Sequence, residues 1–149
     1  LMVCMLQFVF MLLIGVYLFP KLGLPVLDIS GRIPLLFIVT FFSGLAAIGL
    51  GLLLGTIAKT QEQSAPFGAT FVVILAAMGG VWVPVFVMPK IMQTLSNISP
   101  MNWGLNAYYD VFLRQSSFIE IIPEITLLLM FFIITTLTAI FYNEKKNAV

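Results

Sequence analysis

PLLFIVTFFSGLAAIGLGLLLGTIA, residues 34–58, runs its whole length without a charged side chain or an amide. A helix rises 1.5 Å per residue and about 20 mainly apolar residues cross about 30 Å of hydrocarbon, so the stretch is long enough to span a bilayer. Three further apolar stretches, residues 2–19, 65–86 and 123–142, meet the same length criterion. No charged side chain falls in the interior of any of the four; Glu124 stands at the entrance of the last. With 61% hydrophobic residues against 9% charged, and a mean hydropathy of +1.13, a soluble domain of 149 residues is excluded. The expected fold class is therefore all-α: a polytopic membrane protein with four transmembrane helices.

The breaks between the stretches set the expected topology. Pro20, Gly23 and Pro25 end the first, and Asp28, Ser30, Gly31 and Arg32 form a polar turn before Pro34 opens the second at a first-turn position. Residues 59–64, Lys-Thr-Gln-Glu-Gln-Ser, join the second and third and are too short for a domain of their own. Asn143, Glu144, Lys145 and Lys146 give the last a polar stop. Residues 87–122 are broken by Pro89, Pro100 and Gly104 and form no clean span. Ile91, Leu95 and Ile98 recur at helical spacing opposite Gln93, Thr94 and Asn97, which predicts a short interfacial amphipathic helix. Met101, Leu105, Tyr108 and Phe112 form a second stripe. Asp110 and Arg114 stand four apart and can pair, and Ser117 with Glu120 matches a capping box. Gly79, Gly80 and Pro84 should loosen the outer end of the third span, placing Trp82, Trp103, Tyr108 and Tyr109 at one interface.

Ser43, Ala47, Gly51 and Gly55 repeat every four residues along the second span, a ridge that lets another helix approach closely; it reads as a helix-packing face. Ala76 and Gly80 make a shorter version in the third.

Several function classes lose support. An ionised group at the bilayer centre costs about 2.5 to 3.5 kcal/mol on insertion scales, a cost that proton relays accept because the charge does their work. With no histidine anywhere and no charge inside the spans, the driving force for any transport should come from a partner. A net charge of +1 without a basic cluster gives no footprint for nucleic acid, and Cys4 has no disulfide partner. Gly55 followed by Lys59 and Thr60 lacks both glycines of a phosphate-binding loop, because Ala58 and Leu53 occupy their places; a helix end with a snorkelling lysine fits better. Asn97-Ile98-Ser99, with Pro100 after it, is taken as a chance glycosylation pattern. Glu120 and Glu124 fit a helix terminus near the positive end of its dipole, without metal-ligand spacing or a nucleophile and base nearby. No catalytic, cofactor-binding or metal-ligating residue is expected. The first apolar run begins at Leu1 without a charged flank or cleavage site, so it is not read as a signal peptide, and further residues are expected upstream.

In order, an apolar span, a short polar loop, a span, Gly-Gly, Pro, Met-Pro, an amphipathic turn, Ser-Pro-x-x-Trp and a final span make a recognisable series. Over residues 49–142 the chain resembles the C-terminal half of an ATP-binding-cassette (ABC) type-2 transporter permease. The resemblance is carried by Gly51-Leu52-Leu53-Leu54-Gly55, by Lys59-Thr60-Gln61-Glu62-Gln63, by Gly79-Gly80 with Pro84 and Met88-Pro89, and by Ser99-Pro100-Met101-Asn102-Trp103.

The resemblance implies a permease subunit of an exporter, with residues 1–149 as the C-terminal part of its transmembrane domain. This chain would supply the last four of six spans, with residues 87–122 as short re-entrant helices at the outer face. Gly79, Gly80, Pro84, Pro89, Pro100 and Trp103 mark that outer-face segment. Partners would be a second permease subunit, identical or different, membrane lipid, and cytoplasmic ABC ATPases that bind the ATP, so that this chain needs no cofactor. The cargo would be a drug, lipid, polysaccharide or other amphiphile, and no substrate-binding residue is assigned. The location would be the bacterial inner membrane with the C-terminus in the cytoplasm. Charge bias alone leans slightly against that orientation, since Lys59, Lys145 and Lys146 would be inside and Lys21, Arg32, Lys90 and Arg114 outside. A non-transporting scaffold or assembly subunit is the first alternative, a secondary carrier or channel the second.

Overall fold

The computed structural model describes residues 1–24, 31–58, 60–114 and 116–147. Pro25, Asp28, Ser30 and Lys59, named above for the first turn and the second linker, lie outside the described residues. The described residues are helical with short connections and contain no strand.

The first helical run is continuous from Met2 to Lys21. It comprises α1 (Met2–Leu13), a π-helical turn (Ile14–Leu18) and α2 (Phe19–Lys21). The wider turn lies directly before Pro20, whose ring would crowd the Val16 carbonyl of a regular α-helix and which has no N–H to offer it. Proline thus reshapes this helix without ending it at Phe19; Gly23, at φ 70°, turns the chain just beyond Lys21.

Helix α3 (Ile33–Ile57) opens with Pro34 in its first turn, close to the expected bounds. Helix α4 (Gln61–Met78) departs from expectation at both ends. It starts four residues early because Thr60 caps it, its hydroxyl accepting from the Gln63 N–H at 3.3 Å. It stops eight residues early because Gly79 and Gly80, the latter at φ 88°, break the helix although the apolar run continues through Val81, Trp82 and Val83. A 3₁₀ turn (Val85–Val87), α5 (Lys90–Ser96) and α6 (Pro100–Phe112) follow, and α7 (Ile122–Asn147) closes the described chain. The polar residues Asn143 to Lys146 do not stop α7: they extend it, with Lys145 and Lys146 in its last turn, where cations complement the helix dipole. Among the described residues, three helices are long and apolar enough to cross a membrane, Met2–Lys21, Ile33–Ile57 and Ile122–Lys146; α4 is shorter.

Two packing centres hold the bundle. Near the start of α3, Leu36 and Val39 meet Ala107 and Val111 of α6 and Ile121 and Ile125 beside and within α7. Farther along, α3 and α7 approach backbone to backbone at Gly49. A Cβ there would strike Thr135 Oγ1 and lie 3.0 Å from Phe132 Cδ2. In lipid, where hydrocarbon surrounds every helix, such close van der Waals approach is what favours helix against helix over helix against lipid. Thr135 donates its hydroxyl back to the Phe131 carbonyl at 2.8 Å, so that buried hydroxyl is satisfied within its own helix.

Candidate membrane pathway

Helices α3 and α4 are joined by a short linker, and along their length they enclose an apolar groove of about 360 Å³. Ala47, Gly51 and Leu54 line one wall, Ser64, Ala65 and Gly68 the other, and Pro100 and Met101 at the start of α6 close one end. No charged residue lines it.

The four ridge residues divide between contact and open surface. Ser43 packs beside α6, its Oγ 3.3 Å from where a Cβ on Gly104 would stand. Ala47 is exposed along the groove. Gly51 and Gly55 have nothing within 4 Å of an added Cβ, and the same holds for Gly68 across the groove. The glycine that seats α7 is Gly49, two positions from Gly51 and therefore about 200° around the helix. Ser43 Oγ is buried with no hydrogen-bond partner among the described residues.

Gly79, Gly80, Pro84, Pro89, Pro100 and Trp103, the residues expected at the outer face, share one neighbourhood at the end of α4. Gly79 lies under α6, where a Cβ would sit 2.6 Å from that of Met101 and 3.1 Å from the Asn102 nitrogen. Ser99 donates its hydroxyl to the Leu75 carbonyl at 3.3 Å, tying the start of α6 to the last turn of α4. Pro84 and Pro89 precede the 3₁₀ turn and α5, and Pro100 takes the first position of α6, where its missing N–H costs nothing. Trp103 donates Nε1–H to the Asn97 carbonyl at 2.7 Å and sets its ring edgewise on Phe131. Of the four aromatic residues expected at one interface, Trp82 and Tyr109 are exposed, whereas Tyr108 stacks on Phe112 and lies beside Phe8.

Polar contacts then fasten α6 to α3. Arg32 donates to the Val111 carbonyl at 3.1 Å, placing a cation at the C-terminal end of α6. The Thr40 and Tyr108 hydroxyls meet at 2.8 Å. Asp110 and Arg114 pair at 2.7 Å as their spacing predicts, with the carboxylate buried and the guanidinium exposed. Glu120 reaches back to the Ser117 N–H at 2.9 Å, and a turn separates that half of the box from the first residue of α7. Neither Arg32 with Val111 nor Thr40 with Tyr108 had a local signal in the sequence; each joins residues far apart in the chain. No group of three His, Cys, Asp or Glu side chains able to hold a metal occurs among the described residues.

Comparison with known proteins bears on this arrangement. A family model described as ABC-2 type transporter matches residues 1–113, which takes in the first helical run, α3, α4 and α6 and leaves out α7. A curated relative, the linearmycin resistance permease protein LnrN of Bacillus subtilis (strain 168), is 28% identical over 91 residues. That match covers 61% of this chain and 24% of the relative, so the chain spans about a quarter of that permease. No solved structure matches. Apolar helices of membrane-spanning length and a family match over most of the chain lead to one assignment: this is an integral membrane protein that belongs to the ABC-2 type transporter family.

Proposed function

We propose that the chain forms part of the substrate pathway of an ABC exporter, as the C-terminal part of a permease domain whose energy comes from ATP bound and hydrolysed by a cytoplasmic partner. The observation that carries this reading is the α3–α4 groove, an uncharged furrow in which small residues of both helices, Ala47, Gly51, Ala65 and Gly68, open space among leucines, Val72 and Phe131 of α7. A carrier that couples to an ion needs a charge or polar cage at such a place. This groove offers hydrocarbon, glycine and isolated hydroxyls, which suit an amphiphilic cargo and leave the work to be done elsewhere. The name of the relative, a resistance permease for linearmycin, supports a drug among the cargo classes.

In this reading α4 and α6 together complete the fourth crossing. Helix α4 rises from the Ile57 end of α3, halts at Gly79-Gly80, and α6 continues towards Arg32, with the segment around Pro84, Pro89, Pro100 and Trp103 as the re-entrant element of the outer face. A second permease subunit, the same or different, completes the pathway. The C-terminus, with Lys145 and Lys146, lies in the cytoplasm of a cell whose inner membrane holds the assembly. The ridge glycines Gly51 and Gly55, open within this chain, are available to a helix outside these 149 residues.

The test is transport by the complete permease with its ATPase in proteoliposomes, comparing wild type with Gly51→Leu and Gly68→Leu. Filling either groove wall should reduce ATP-dependent export of a lipid-soluble dye while ATPase binding persists. Undiminished export by both variants would overturn the assignment of the groove.

A further inference from the structure

We propose that a furrow between α1 and α3 is the binding site of one anionic phospholipid, with an acyl chain lying along the furrow and the phosphate held by Lys21 and Arg32. The site is on another side of α3 from the α3–α4 groove, since Phe41 in the one and Ala47 in the other stand about 120° apart around the helix. It is independent of cargo and of energy source.

The furrow follows from how the two helices meet. They run antiparallel: Leu1 and Cys4 stand beside Gly44, Phe8 meets Phe37 edge to face with ring centroids 5.7 Å apart, and Val16 and Tyr17 lie level with Ile33. Two hollows open between them, of about 350 and 220 Å³. Met2, Leu6 and Val9 line the first against Phe41. Val9, Leu13 and Tyr17 line the second against Phe37 and Ile33. Val9 belongs to both, and the α1 residues recur every three or four positions, so the hollows are two parts of one stripe. From Met2 to Tyr17 that stripe is about 22 Å long, more than the about 15 Å of hydrocarbon in one leaflet.

The lining suits a thin flexible chain better than another helix. Close approach of helices in lipid needs small residues, and among the described residues neither hollow is lined by glycine, alanine or a charge. At the mouth the chemistry changes. Tyr17 is 67% exposed, Lys21 follows one turn later in the last turn of α2, and Arg32 directly precedes Ile33. Arg32 places one N–H on the Val111 carbonyl, and a guanidinium carries five. Among the described residues the salt bridge is Asp110 with Arg114, so neither Lys21 nor Arg32 is paired there with a carboxylate. Two cations and a phenol at the end of a hydrocarbon furrow complement a phosphate that carries an acyl chain. A zwitterionic lipid brings its own cation to that place and fits it less well.

Leu13→Trp, as the sole tryptophan of the complete permease, puts a fluorophore in the furrow wall about 12 Å below Lys21. In phosphatidylcholine vesicles holding a small fraction of lipid with brominated chains, brominated phosphatidylglycerol should quench it far more than the same fraction of brominated phosphatidylcholine. Lys21→Gln should raise the phosphatidylglycerol fraction needed for half-quenching about fivefold, and Lys21→Arg should keep the original value. Arg32→Gln also frees α6, so Lys21 carries the comparison. Ile134→Trp as sole tryptophan, on the exposed face of α7, should not distinguish the two lipids. If Leu13→Trp lowers the yield, the melting temperature of the solubilised wild type gives the same reading: phosphatidylglycerol should raise it more than phosphatidylcholine does, and less so in Lys21→Gln. Equal quenching by the two lipids at Leu13→Trp would reduce the furrow to ordinary boundary contact and overturn the proposal. Quenching by neither would show a protein segment in the furrow, and a preference unchanged in Lys21→Gln would place the phosphate elsewhere; each overturns it equally.

Discussion

Tyr108 donates its hydroxyl hydrogen to Thr40 Oγ1 at 2.8 Å, because the Thr40 proton is already given to the Leu36 carbonyl at 2.7 Å. This relay joins α6 to the wall of α3 across 68 residues of chain and fixes the position of α6 along α3. Tyr108→Phe should therefore destabilise the solubilised permease by about 0.5 to 1.5 kcal/mol, the usual net worth of one such bond. Thr40→Val should cost a similar amount. In the double variant the two losses should not add, since each removes the same bond; thermal unfolding in detergent measures the cycle.

Gly49 and Gly51 should behave oppositely although both are glycines in one apolar helix. Gly49→Ala drives a methyl into Thr135 and Phe132 and should cost about 1 to 3 kcal/mol, as overpacking does. Adding Thr135→Ala should return part of that loss by making room. Gly51→Ala meets open space and should leave the folded chain within about 0.5 kcal/mol of wild type. Melting temperatures of the solubilised variants decide the order.

Arg32 and Arg114 both lie near the C-terminal end of α6, yet they hold different things. Arg32→Gln removes a charged donor from the Val111 carbonyl and should loosen α6 by about 1.5 to 3 kcal/mol. Arg114→Ala leaves the Asp110 carboxylate without its partner, but the exposed guanidinium was already screened by water, so about 1 kcal/mol is expected. Proteolysis in the neighbourhood of α6 should accelerate more for the first than for the second.

What could be read from the chain alone follows the physics of each signal. Residues 34–58 are legible because an uncharged run of that length has one economical conformation in lipid. The end of α4 was legible only in part: Gly79-Gly80 marked a loosening, but hydropathy continues through Val81-Trp82-Val83 while the backbone turns at Gly80, and a helix break inside an apolar run leaves no trace in hydropathy. The end of α7 fails in the opposite sense, since Glu144, Lys145 and Lys146 are polar but good helix formers. Asp110 and Arg114 were legible because helical spacing is local. The ridge at Ser43, Ala47, Gly51 and Gly55 marked small residues correctly, but lipid tails are as apolar as leucine. Periodicity alone therefore cannot distinguish the Gly49 side, which meets α7, from the Gly51 side, which opens on the groove.

The most direct test of the pathway claim is nucleotide dependence. In proteoliposomes holding the complete permease and its ATPase, movement of a lipid-soluble dye should require ATP and should cease when the ATPase carries a hydrolysis-blocking substitution. Transport that continues at the same rate without nucleotide would contradict an uncharged pathway driven from outside the membrane.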